Sequence, residues 1–161
     1  MTALRNLALA TLLCLPMALS AQSNINIGGI TVDPTEAVEI SADNLTVEQE
    51  SGTAIFSGNV VVGQGDLRIS AGRVEVVYAE AAGEIAQLRA SGGVTFATAT
   101  EAAEADSASY DLAQESLVLS GEVLLTQGAT AISADEMRVD LASGNATLSG
   151  RVRTVIQQGG E

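Results

Sequence analysis

A two-strand unit recurring about four times constrains this chain more than any other feature. One marker is Ser-Gly-X-Val, at Ser57-Gly58-Asn59-Val60, Ser91-Gly92-Gly93-Val94, Ser120-Gly121-Glu122-Val123 and Ser149-Gly150-Arg151-Val152. These copies are spaced by 34, 29 and 29 residues. A second marker is Ala-Asp, at Ala42-Asp43, Ala105-Asp106 and Ala134-Asp135, with Ala71-Gly72 in its place in the second copy. Asp and Gly are 15 residues apart in three copies, and Gly72 and Gly92 are 20 apart, an insertion of five. Two independent markers sharing one frame indicate a repeat architecture, in which each unit buries its apolar face only against its neighbours.

Within each unit the apolar period is two. In Leu117-Val118-Leu119-Ser120-Gly121-Glu122-Val123-Leu124-Leu125, one parity reads Leu, Leu, Gly, Val, Leu. Side chains alternate across a strand, so this parity lines one buried face. The other strand of each unit slips parity at its marker: Ile40 and Ala42 give way to Leu45 and Val47, and Ile69 and Ala71 to Val74 and Val76. The same slip from Ile132 and Ala134 to Met137 and Val139 makes it regular, which predicts a bulge or bend that keeps both halves facing inward. The mid-strand Gly predicts a kink or a close backbone approach at the same place. Gly-containing links such as Glu50-Ser51-Gly52, and Gly65-Asp66 within Gly63-Gln64-Gly65-Asp66-Leu67, read as hairpin turns. The implied fold class is all-β, a stack of antiparallel hairpins presenting one apolar face.

The start of the chain reads differently. Arg5, an apolar run from Leu7, Pro16 and small residues at Ala18, Ser20 and Ala21 have the three parts of a secretory leader cleaved after Ser20 or Ala21. The run is too short for a spanning helix, which needs about 20 residues. Cys14, the only cysteine, lies inside that run, so neither a disulfide scaffold nor a thiolate metal site is expected. The expected organisation is a leader over 1–21, a lead-in over 22–37, the repeat domain over 38–156 and a flexible tail over 157–161.

Beyond the leader, six Arg and no Lys face 20 acids, a net charge of −14. Nucleic acid is excluded as a partner, because its binding rests on neutralised phosphates. The absence of His removes the commonest general base and metal ligand. No catalytic residue, metal or cofactor is expected. The recurring Asp43, Asp106 and Asp135 occupy equivalent repeat positions, which favours a structural role at the bend. Arg151 and Arg153 are read as blunting an exposed sheet edge, with an acidic partner or a lipid phosphate as the alternative.

The frame from Ile40-Ser41-Ala42-Asp43 to Ser57-Gly58-Asn59-Val60, and again from Ile132-Ser133-Ala134-Asp135 to Ser149-Gly150-Arg151-Val152, resembles the OstA-like (LptA) family of lipopolysaccharide-transport proteins. The likeness runs over about Ile40 to Val152. It implies an open β-jellyroll (β-taco), a non-enzymatic periplasmic protein, and an apolar groove that shields lipid A acyl chains between the inner and outer membranes. Groove lining is expected from Leu45, Val47, Phe56, Val60, Val62, Ile69, Val74, Val76, Phe96, Tyr110, Leu117, Leu119, Val123, Ile132, Met137, Val139 and Leu148. The expected partners are lipopolysaccharide and the inner- and outer-membrane components of the transport system. β-Strand addition to these partners, or head-to-tail self-association, would run along Val38, Ile40, Leu45 and Val47 at one end and Leu148 and Val152 at the other. The alternatives are a dry structural scaffold and an inner-membrane-anchored relative of the same system.

Overall fold

The computed structural model describes residues 35–79 and 83–157, together with the backbone of 23–26. The expected leader lies outside the described residues. Among the described residues eleven strands form one antiparallel sheet: β1 (Ser23–Asn26), β2 (Glu39–Ser41), β3 (Asn44–Glu48), β4 (Thr53–Gln64), β5 (Leu67–Tyr78), β6 (Ile85–Ala97), β7 (Glu101–Asp111), β8 (Ser116–Gln127), β9 (Thr130–Asp140), β10 (Asn145–Ser149) and β11 (Arg153–Ile156). From β4 to β9 each strand pairs with the next in sequence, as a stack of hairpins requires.

The repeat markers fold this sheet in two. Ser57 pairs with Arg73 and Val60 with Ala71, so two residues of β4 oppose the single Gly72 of β5. The same shift falls between Ser91 and Val94 of β6, and between Ser120 and Val123 of β8. Both central residues of Ser-Gly-X-Val are left-handed: Gly58 has φ +79° and Asn59 +46°, Gly121 +82° and Glu122 +45°. An extra residue in this conformation bends the strand and turns its two halves towards each other. The bends align into a fold line. One wall, wall A, then holds β3, β10, β1 and the halves of the long strands nearest the turns at 49–52, 112–115 and 141–144. Wall B holds β2, β11 and the other halves. In the first and last copies the bend is complete enough to split one strand into two, β2 with β3 and β10 with β11. The expected parity slip is this bend.

The Asp-to-Gly correspondence has a steric cause. A Cβ on Gly58 would lie 2.6 Å from Asp43 Oδ2, and Cβ atoms on Gly121 and Gly150 would collide with the carboxylates of Asp106 and Asp135. The carboxylate therefore rests in the space that only glycine leaves. In the second copy both residues are glycine and backbone meets backbone: a Cβ on Gly72 would lie 3.1 Å from the Gly92 carbonyl oxygen. The longer link of that copy joins β5 to β6, and 80–82 in it lie outside the described residues.

Within the lead-in, Ser23–Asn26 forms β1 and pairs along β10, Ser23 opposite Leu148 and Asn26 opposite Asn145. This corrects the edge role expected of Leu148 and Val152. Leu148 therefore does not lie on an unpaired edge: β10 sits between β9 and β1, and Leu148 is fully buried. Val152 lies in the break between β10 and β11, packed against the core rather than in an edge strand. Among the described residues, the outer edges of β2 and β3 at one end, and of β1 and β11 at the other, carry no further strand.

Candidate functional site

The inner faces of the two walls form one continuous apolar surface. Wall A contributes Phe56, Val74, Val76, Tyr110, Leu117, Leu119, Met137, Val139 and Leu148, and wall B contributes Val60, Val62, Ile69, Phe96, Val123 and Ile132. Except for Phe56, which is partly buried, all of these are buried. Leu67, Leu88, Val94, Leu125 and Leu141 join them, with alanines at 90, 103, 105, 108 and 146. The structure thus brings 15 of the 17 expected lining residues together in this interior.

The other two lie on the same face but in the open. Leu45 pairs with Phe56 and Val47 with Ala54. Cross-strand partners point to the same side of a sheet, so Leu45 and Val47 extend the inner face past the last covered strand. They are 56% and 64% exposed. Val38 and Ile40, across from them on the wall B side, pack partly against the core. The β2–β3 end is therefore an open, apolar mouth. Phe96, Leu119, Met137, Val139 and Leu148, deeper in, are all at 0% exposure.

The interior itself is narrow. Between the walls lies a cavity of about 10 Å³, bordered by Val62 and Ile69 on one side and Val74, Leu88, Ala90, Ala108, Tyr110 and Leu117 on the other. That volume is at the lower limit for a single water. A larger guest requires the walls to separate.

Polar side chains close the rim of wall B. Gln64 and Glu101 are buried, at the ends of β4 and β7. Glu101 accepts from Thr98 Oγ1 at 2.8 Å and from Gln127 Nε2 at 3.1 Å. Gln64 crosses to the other wall, where its Oε1 accepts from Tyr110 Oη at 3.0 Å. Burial, with a smaller contribution from Glu115, holds the Tyr110 phenol above its ordinary pKa of 10.0, so it stays a donor. Gln64, Glu101 and Gln127 were not among the expected site residues. A signal was present, since each continues the inward parity of its strand: Val60, Val62, Gln64; Glu101, Ala103, Ala105; Val123, Leu125, Gln127.

Six acids, Glu48, Glu50, Glu84, Asp111, Glu115 and Asp140, follow one another along the turns at the rim of wall A. No arginine lies among the described residues of those turns. Among the described residues no group of three or more His, Cys, Asp or Glu is placed to hold a metal ion. At the fold line, Arg151 donates from Nε to Asp135 Oδ1 at 2.9 Å and so braces the last bend. Arg153 remains exposed on β11.

Residues 39–159 match the family model described as LptA/(LptD N-terminal domain) LPS transport protein. A Rhizobium meliloti protein described only as uncharacterised is 26% identical over 112 residues, which span 65% of this chain and 60% of that protein. Among solved structures, LptH of Pseudomonas aeruginosa, described as the LptA-homologous periplasmic component of the lipopolysaccharide transport device, superposes with a TM-score of 0.70. It is 16% identical, and the match covers 79% of this chain and 99% of LptH. That likeness is one of fold.

Proposed function

Since this chain belongs to the LptA/(LptD N-terminal domain) family of lipopolysaccharide-transport proteins, we propose that it carries lipopolysaccharide through the periplasm with the acyl chains held between its two walls. The family is one of transport proteins, not enzymes. The reading is carried by the inner face that emerges uncovered at Leu45 and Val47 and runs without a charged side chain to Leu119 and Met137. An acyl chain in water costs about 0.8 kcal/mol for each exposed CH₂. A slot of this kind removes that cost while the sugars stay hydrated. The chemistry needs no catalysis in this chain.

Assembly follows the free edges. β2 and β3 at one end and β11 at the other offer unpaired backbone to membrane-bound members of the transport system, or to a second copy joined head to tail. Such contacts are heterologous and make rows rather than closed dimers. The acidic rim of wall A and the anionic lipid head group repel each other, so a screening divalent cation strengthens the complex.

The closely packed walls favour one second reading, a dry structural scaffold whose interior never opens. Photocrosslinking separates the two. Probes at Phe56, Leu119 and Val139, with outward Thr46, Ser57 and Arg138 as controls, are exposed to labelled lipopolysaccharide with and without magnesium. Adducts at the inward positions alone support transport. A folded protein that forms none is the scaffold.

A further inference from the structure

Resting on that lipid reading, we propose that the Tyr110–Gln64 hydrogen bond is a latch between the walls, and that the recess at Ala90 and Ala108 beside it is the first seat of an acyl chain. Tyr110 stands on wall A and Gln64 on wall B, both near the rims, and both are buried. Gln64 Nε2 also donates to the Glu36 carbonyl at 3.1 Å, just ahead of β2. One amide therefore ties wall A, wall B and the segment leading into the open mouth.

A bond of this kind acts as a latch because of how it fails. Parting apolar faces forfeits dispersion contacts but leaves no polar group unpaired. Breaking a buried hydrogen bond adds a full desolvation penalty for each group left unpaired in an apolar setting. Opening therefore has a threshold at Tyr110.

The seat is defined by what surrounds it. Ala90 and Ala108 are cross-strand partners, as are Leu88 and Tyr110 one step nearer the rim. The two alanines leave a dip in wall A where the cavity lies, with Ile69 facing it from wall B. Tyr110 stands between this dip and the rim, so its release joins the cavity to the outside. The cavity is bordered by hydrocarbon apart from the Tyr110 hydroxyl. That lining suits a saturated chain and offers nothing to a sugar or a phosphate.

The test uses the full chain carrying a photocrosslinker at Ile69 or at Phe56, with labelled lipopolysaccharide as the probe. Tyr110→Phe raises the initial rate of adduct formation at Ile69 by roughly two- to tenfold, the range a buried hydrogen bond supports. Gln64→Leu acts in the same direction, and decides the matter if Tyr110→Phe does not fold. Ala108→Leu fills the recess, abolishing the Ile69 adduct and sparing that at Phe56. The exposed Tyr78→Phe changes nothing. Adducts at Phe56 with an Ile69 rate indifferent to Tyr110→Phe and Gln64→Leu overturn the latch and leave the transport reading standing. Adducts at neither position, in any folded variant, overturn both.

Discussion

The two ends of the folded sheet are built from the same repeat and finish differently. At the β2–β3 end the inner face continues one strand too far, and Leu45 and Val47 stand 56% and 64% exposed. At the other end Leu148, also inward on a terminal repeat strand, has 0% exposure, and β10 carries β1 along its outer edge. The difference teaches that burial here is decided by neighbours, not by sequence. A repeat strand buries its apolar side only if something lies beyond it, and among the described residues one end has no such partner.

Truncations at the two ends break or sharpen this contrast most. Leu148→Ala removes a fully buried side chain and costs about 2–5 kcal/mol. Leu45→Ala stays within about 0.5 kcal/mol, as exposed positions do. Urea denaturation measures both, and equal losses would erase the distinction between the ends. A smaller effect is expected from deleting residues 22–27. It removes β1, exposes the outer edge of β10, and shifts the protein towards larger species in analytical ultracentrifugation. A sedimentation profile identical to that of the intact chain would mean that β1 does not protect that edge.

The bends give a third, finer comparison. Gly52 and Gly121 both have positive φ, +62° and +82°, yet a Cβ on Gly52 meets nothing within 4 Å whereas one on Gly121 collides with Asp106. Left-handed backbone alone costs an L-residue about 1–2 kcal/mol. Gly121→Ala is therefore more destabilising than Gly52→Ala, and the excess reports the carboxylate resting on the glycine. Similar losses in thermal melts would remove the steric account of the Asp–Gly pairing.

The smallest effect is one of pH. The hydrogen bond from Arg151, reinforced by its charge, holds the Asp135 carboxyl below the ordinary 3.8. The Ser143 amide does the same for Asp140. A carboxyl with a depressed folded pKa adds stability that is complete above its unfolded pKa and is lost as pH falls through the folded value. The melting temperature should therefore decline below about pH 4, and less steeply in Asp135→Asn. Both groups are solvent-exposed, so a variant curve parallel to wild type would assign the decline to other carboxyls.

Much of this architecture was legible because its causes are local. A period of two marks strands, a parity slip marks a bend, and an Asp placed 15 residues before a Gly marks the contact that fixes it. What escaped depends on distant partners. Ser23–Asn26 contains a single apolar residue, and its role in covering β10 comes from a strand more than a hundred residues away. The exposure of Leu45 and Val47 goes with the absence of a strand beyond β3 among the described residues, which no pattern within β3 encodes. Gln64 sits at an inward position because Tyr110 meets it from the opposite wall, a pairing separated by 46 residues. The recess between the walls arises at Ala90 and Ala108, which look like ordinary strand residues until the sheet is folded.

The most direct test of the central claim, that lipid chains enter between the walls, is the distance between the walls themselves. Spin labels at Val118 and Leu124 lie on the outer faces of wall A and wall B along β8, with Cys14, the only native cysteine, removed. Pulsed electron resonance then reads their separation with and without lipopolysaccharide. A longer distance in the presence of bound lipid is the expected result. An unchanged distance in a sample that demonstrably binds lipopolysaccharide would contradict the account and place the lipid outside the fold.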